Sequence, residues 1–332
     1  MKHGFGRTLA AAAAVLTLAL AGCGSGSGGG GSQSEADYTR DLTFGTGGTA
    51  GVYFPLGNEY ARILESNVDG LSVNAIETDG SVDNVGRISR NELELALIQS
   101  NTVNEAVTGT GQFADVDEPV ENLGWIGQLY PESVQVVTVD GSGVASMDDL
   151  KGKRIGVGSP GSGTRSVAEM VLSAHGIEEG DYEPYSQTFA DSRSLLQDGN
   201  LDASIETIGV PAASLTELAA TTDVKLIPLD EGVAQEIADG SYFETYTIPG
   251  GTYEFVPEDV PTVTMYATAI ASTSRVSEDD GYAIAKTIYE KAGDITLAQG
   301  EMISLDDALL GRGDVPLHPG AEKYFTEEGL LD

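Results

Sequence analysis

Short apolar runs alternate along the chain with segments whose apolar positions recur every three to four residues. Residues 42–45 form a strand-like run. Leu56, Tyr60, Ile63 and Leu64 follow at spacing i, i+4, i+7, i+8, which marks one face of a helix. The succession repeats with a strand at 71–76, a helix face at Val82, Val85 and Ile88, a fully apolar run at 95–98, and a short helix capped by Asn101. Pro131 separates two predicted strands, 125–129 and 134–139, because proline has no N–H to give to a ladder. A second cycle begins beyond Gly143. It contains a strand at 154–157, a helix bearing Val167, Met170, Val171 and Ala174, a helix at Leu195 and Leu196, and a strand at 201–205. A helix at 211–220 with Pro211 in its first turn and a strand at 224–229 complete it. The last β-prone run, 262–271, leads to a helix with Tyr282, Ala285, Ile288 and Tyr289 on one side.

Repeated strand–helix units predict an α/β architecture with mainly parallel sheets. The part of the chain from residue 38 onward is long enough for two lobes with a cleft between them. The expected division is 38–140 plus 260–332 for one lobe and 141–259 for the other, with hinges near 140–142 and 257–262.

The N-terminus reads differently. Lys2 and Arg7 precede an uncharged apolar stretch at 9–20, too short for the ~20 residues a membrane span needs, so residues 1–22 predict a cleaved export signal. Leu20-Ala21-Gly22-Cys23 resembles the lipobox of bacterial lipoproteins, which implies lipid on Cys23, the single cysteine of the chain. Residues 23–37 are Gly/Ser-rich and predict a flexible tether. The expected location is extracytoplasmic, lipid-anchored to the cell membrane. With Cys23 lipidated no disulfide can form.

The formal charge is −35, from 52 acids against 17 Lys and Arg, and removal of residues 1–22 makes it two units more negative. This argues against nucleic acid or anionic lipid as a partner. The acids are dispersed, consistent with a solvated acidic surface or with adaptation to high salt.

Four Gly-rich or polar loops each join a strand to a helix: 45–53, 78–84, 156–165 and 206–211. In α/β sheets such loops gather at the carboxyl ends of the strands, where helix N-termini favour a carboxylate or phosphate. Gly45 to Ala50 and Gly156 to Gly161 fit weak dinucleotide patterns. Export, Pro160 within the turn and the lack of a following acidic strand end argue against a nicotinamide cofactor. Arg165 stands in the first turn of a helix, where the dipole disfavours a cation. An anion held beside it would offset that cost, and a surface ion pair with a nearby acid is the alternative. No zinc-protease, nucleophile-elbow or P-loop motif is present, and His175 and His318 are far apart in sequence. No enzyme activity, cofactor or metal site is expected.

GTGGTAGVYFPLG at 45–57, TDGSVDNVGRI at 78–88, GVGSPGSGTRSVAEMVL at 156–172 and PLHPGAEKYFTEEG at 316–329 together resemble the TAXI family (TRAP-associated extracytoplasmic immunogenic proteins) of TRAP transporter solute-binding subunits. GNLDASIETIGVPAASLTELA at 199–219 is a looser fifth match. The resemblance implies a two-lobed type II periplasmic-binding-protein fold that captures a small carboxylate or amino acid, glutamate-like, and delivers it to a TRAP membrane permease. A binding lipoprotein of an ABC transporter or of a sensory system is the alternative. The implied ligand shell is Thr46, Gly47, Tyr53, Ser81 and Asn84 from one lobe and Ser162, Thr164 and Arg165 from the other. Gln99 and Glu206 are outer candidates, and Glu206 is suited to a ligand ammonium.

Overall fold

The computed structural model describes residues 38–116 and 118–331. The export signal at 1–22, the tether at 23–37 and lipidation of Cys23 lie outside the described residues. The first βα series comprises β1 (Asp41–Gly45), α1 (Tyr53–Asn67), β2 (Ser72–Ile76), α2 (Ser81–Ser89), β3 (Leu95–Gln99) and α3 (Ser100–Thr108). A long strand, β4 (Leu123–Val139), leads away from it. The second series runs through β5 (Arg154–Gly156), α4 (Gly163–Ala174), β6 (Glu183–Tyr185), α5 (Phe189–Gln197) and β7 (Ala203–Gly209). It continues through α6 (Ala213–Ala219), β8 (Val224–Ile227), α7 (Glu231–Ala238) and β9 (Glu244–Ile248). A second long strand, β10 (Val260–Ser272), returns the chain to α8 (Glu278–Glu290) and α9 (Pro319–Glu327). Among the described residues no helix is long and apolar enough to cross a membrane.

The strands join in the order β2-β1-β3-β10-β4-β7-β5-β6, with β8 added to β4 and β9 to β10. The two ends, β2-β1-β3 and β7-β5-β6, are parallel as expected. The middle is antiparallel, because β4 and β10 run in opposite directions between the ends. Partners change within these strands. β4 pairs with β10 up to Ser133 and with β7 from Glu132 to Thr138. β10 pairs with β9 up to Thr264 and with β3 from Ala267.

Pro131 does not divide β4. The ladder shifts register beside it, so that Tyr130 faces Ala267 and Gln128 faces Thr268. Leu129 is the extra residue of the resulting irregularity, a place where a sheet tolerates proline. Asn101 does not cap α3 either, since the helix already begins at Ser100.

The helix faces pack as their spacing requires. Leu56, Tyr60, Ile63 and Leu64 of α1 are buried, as are Val167 and Val171 of α4 and Ala285, Ile288 and Tyr289 of α8. The C-terminal segment is tied back to β4 by Trp125, whose Nε1 donates to the Ala308 carbonyl at 2.9 Å. His318, fully buried, is the N-cap of α9. Its Nδ1 accepts from the Gly320 N–H at 3.2 Å and its Nε2 lies 3.2 Å from the Val276 carbonyl. Burial pushes the His318 imidazole down to about 4.

The unfolded chain therefore takes up a proton near the ordinary value of 6.5 that the folded chain resists until about 4, and the stability His318 contributes at neutral pH is lost as pH falls through that window. His318→Asn keeps a side-chain acceptor at the cap but removes the titration. Urea unfolding at pH 7 and pH 4.5 should show a larger loss for the wild type than for the variant. Equal losses would mean that the imidazole protonates freely in the folded state.

Candidate ligand-binding site

A cavity of about 330 Å³ opens where the carboxyl ends of strands from both ends of the sheet converge. The loops after β1, β2 and β5 and the start of α5 surround it, together with Gln99 at the end of β3, Glu132 in β4 and Thr207 in β7. The N-termini of α1, α2 and α4 face this region and none of them has a side-chain cap. First-turn N–H groups have no partner within their own helix, so these three termini present donors and positive dipole ends. The first turns of α1 and α4 carry no acid. The start of α5 differs, because Thr188 accepts from the Asp191 N–H there.

The two sides of the cavity touch. The Asp83 N–H donates to the Gly161 carbonyl at 3.0 Å. The Ala50 carbonyl accepts from Arg193 Nη1 at 3.2 Å and from Ser214 Oγ at 2.8 Å. Glycines permit this approach. A methyl on Gly161 would stand 2.8 Å from the Asp79 Cβ, and Gly80 turns into α2 at φ +111°, a conformation other residues rarely adopt.

Six of the expected residues line the cavity: Gly47, Tyr53, Ser81, Gln99, Ser162 and Thr164. Four do not. Thr46 and Asn84 stand directly behind the first loop. Thr46 Oγ1 donates to the Ile76 carbonyl at 2.6 Å, and Asn84 Nδ2 donates to the Thr46 and Leu97 carbonyls at 2.8 Å each. They shape the loop from behind. Arg165 is one position past Thr164 on α4 and so points a third of a turn away. Its Nε donates to Glu169 Oε1 at 3.0 Å in a surface pair, the alternative left open by the sequence. Glu206 is fully buried and paired with Arg193, which spends its charge inside the protein.

Sequence reasoning missed Glu132, Thr207, Arg87 and Arg193. The signal for Glu132 was present as one acid inside a long run of buried strand residues, a rare placement unless something requires it. Its side chain is buried at the cavity, and Tyr53 Oη donates to its Oε2 at 2.8 Å. Burial pushes the Glu132 carboxyl up to about 8, although the polar groups of Tyr53, Gln99 and Tyr130 work in the opposite direction. Burial, reinforced by Glu132, also raises the Tyr53 hydroxyl. Gln99 Oε1 and Thr207 Oγ1 are buried at the cavity with no hydrogen-bond partner. Arg87 reaches the cavity but is held by Asp83 at 3.0 Å.

The raised Glu132 carboxyl has a consequence for stability. Between about 4.5 and about 8 the folded chain keeps a proton that the unfolded chain releases, so this group makes stability fall as pH rises through that range. Glu132→Gln removes the effect. The variant's stability relative to wild type should be greater at pH 7.5 than at pH 5. The same difference at both values would show that Glu132 ionises normally.

Residues 44–329 match the model of the NMT1-like family. Two solved structures share the fold. The alkanesulfonate-binding protein SsuA from Xanthomonas axonopodis pv. citri, bound to MOPS, is 15% identical over 87% of this chain and 84% of that one, with a TM-score of 0.51. PhnD1 from Prochlorococcus marinus (MIT 9301), in complex with methylphosphonate, is 15% identical over 88% of this chain and 99% of that one, with a TM-score of 0.53. With a two-lobed, periplasmic-binding-protein-like α/β fold, this chain belongs to the NMT1-like family.

Proposed function

We propose that this chain is an extracytoplasmic solute-binding protein, held at the membrane by lipid on Cys23, that closes on a small carboxylate or amino acid and delivers it to a TRAP permease. The observation that carries the binding role is the convergence of three uncapped helix N-termini on one cavity that also holds the unpartnered Thr207 hydroxyl. An anion placed there meets first-turn N–H donors, although that of Asp83 is already given to the Gly161 carbonyl. The lobes divide where β4 and β10 exchange partners, near 132–133 and 264–267, rather than at 140 and 260, and rotation is taken up there. Ligand shifts the population toward the closed form because only that form brings both sets of donors to it. The TRAP partner is supported by the TAXI-like motifs, and the MOPS and methylphosphonate of the two structural relatives are both small solutes bearing an acidic oxyanion group.

A thermal-shift screen of the full chain against amino acids, dicarboxylates, keto acids and sugars tests the binding role, since a ligand of the folded state raises the melting temperature. At least one carboxylate should do so. A response confined to sugars would reject the anion site. Gly161→Ala should weaken the bound carboxylate about 10-fold or more, because the added methyl meets Asp79 across the cleft in the closed form. Arg165→Ala should leave affinity unchanged. An unaltered Gly161→Ala or a strongly weakened Arg165→Ala would mean that the solute is held elsewhere.

Delivery is tested in cells by uptake of the identified solute. Uptake through a TRAP permease stops when the ion gradient is collapsed. Uptake that instead follows the ATP supply would transfer the protein to an ABC transporter, and no dependence of uptake on the protein would make it a sensor.

A further inference from the structure

The cavity combines two features that a simple carboxylate does not satisfy together. It is bordered by the uncapped N-termini of α1, α2 and α4. It is also lined by Glu132, an acid in β4 that is joined to the start of α1 through Tyr53. Its surroundings contain donors but no cation. α1 supplies Tyr53, whose hydroxyl donates to it, β3 supplies Gln99, and β4 itself supplies Tyr130. Its register partners, Met265 on β10 and Gly209 on β7, carry no charge. The other charged groups lining the cavity are Glu77, Asp79 and Arg87. Arg87 is paired with Asp83, Arg193 with Glu206 and Arg165 with Glu169. A buried acid is ordinarily matched by a buried cation, because an ionised carboxylate with no counter-charge is costly to bury.

We propose that the ligand itself supplies this cation: Glu132 receives the ammonium group of an amino acid whose carboxylate sits at the helix N-termini, so the site selects amino acids over the corresponding keto acids. The assignment rests on the solute-binding reading and names the solute class. Charge balances as follows. Without ligand the Glu132 carboxyl is mostly protonated at pH 7, since burial holds it at about 8. Binding of R–NH3+ favours the carboxylate, the O–H bond of Glu132 breaks, and its proton passes to the buffer. The complex then contains one carboxylate–ammonium pair at Glu132 and one carboxylate facing peptide donors. A keto acid brings only an acceptor carbonyl here, which leaves Glu132 protonated and donating, and no proton is released.

The test is isothermal titration calorimetry of the full chain at pH 7 in two buffers of different ionisation enthalpy. The probes are three matched pairs: L-glutamate and 2-oxoglutarate, L-leucine and 4-methyl-2-oxopentanoate, and L-alanine and pyruvate. In at least one pair the amino acid should bind about 100-fold more tightly than its keto acid, with release of about one proton. Glu132→Gln should reduce that preference by at least about 10-fold and abolish the release. A keto acid that binds as well as its amino acid, or amino-acid binding with no proton release, overturns the assignment while leaving the carboxylate site intact. No binding by any of the six overturns the carboxylate reading and the assignment with it. The comparison within each pair and the proton count are made on the wild type, so they stand even if the variant does not fold.

Discussion

Among the described residues the backbone passes between the two ends of the sheet only in β4 and β10, and the position of every cavity residue depends on how those strands are paired. A continuous antiparallel ladder is stiff along its length. This one loses register twice on β4, beside Leu129 and again beside Ile126, and it takes up Pro131 next to the first shift. A strand with an unpaired extra residue bends more readily than a regular one. The irregularity lies within the stretch of β4 that pairs with β10, before β7 joins the other edge of β4 at Glu132. Glu132 sits three residues from that shift, at the floor of the cavity. An acid that lines the cavity is therefore carried on one of the two strands that join the ends of the sheet.

The strongly acidic composition bears on which donors remain unneutralised at the cavity. With 52 acids to 17 Lys and Arg, a guanidinium near the surface of this protein has carboxylates within reach from its own helix or its neighbours. Arg165 meets Glu169 and Arg87 meets Asp83, each one helical turn away. Such pairs are individually weak, yet they compete with any anionic ligand for the cation. A helix N-terminus is not neutralised in this way so long as its first turn lacks acids and its cap is not a side chain. α1 and α4 meet both conditions.

Periodicity alone was enough to read most of the fold, because α1, α4 and α8 each bury a stripe whose spacing matches the helix. The loops bearing Gly47, Ser81 and Ser162 were legible for the same reason: each stands between a strand and a helix, and parallel connections bring such loops together. What sequence could not supply was direction across a loop. Thr46 and Gly47 are adjacent, yet one braces the loop from behind and the other faces the cavity. Thr164 and Arg165 divide in the same way by one step of helical rotation. Sequence offers Glu206 as a receiver for a ligand ammonium, but its partner Arg193 lies on a separate helix and no local pattern links them. Glu132 was hidden by Pro131. Once the proline was taken to end a strand, the acid beside it fell into a presumed loop, where an exposed carboxylate needs no explanation.

Among the described residues, hydrogen bonds join the two sides of the cleft at several points, one of them from Gln299 Nε2 to the Pro211 carbonyl at 2.9 Å. Asp83 donates to Gly161, and Ala50 receives Arg193 and Ser214. Net gains of about 1 kcal/mol for each such bond are of the size needed to offset bending a strand and drying a cavity, but not to exceed them by a wide margin. A balance of that kind is what a ligand can tip, since a solute shifts a two-state equilibrium only by its difference in affinity for the two forms. Arg193 gives the closing contact its direction. The buried pair with Glu206 fixes the guanidinium before the lobes meet, so reaching Ala50 costs little further side-chain entropy. Glu206 thus stands outside the cavity and aims the arginine that reaches the Ala50 carbonyl of the first loop.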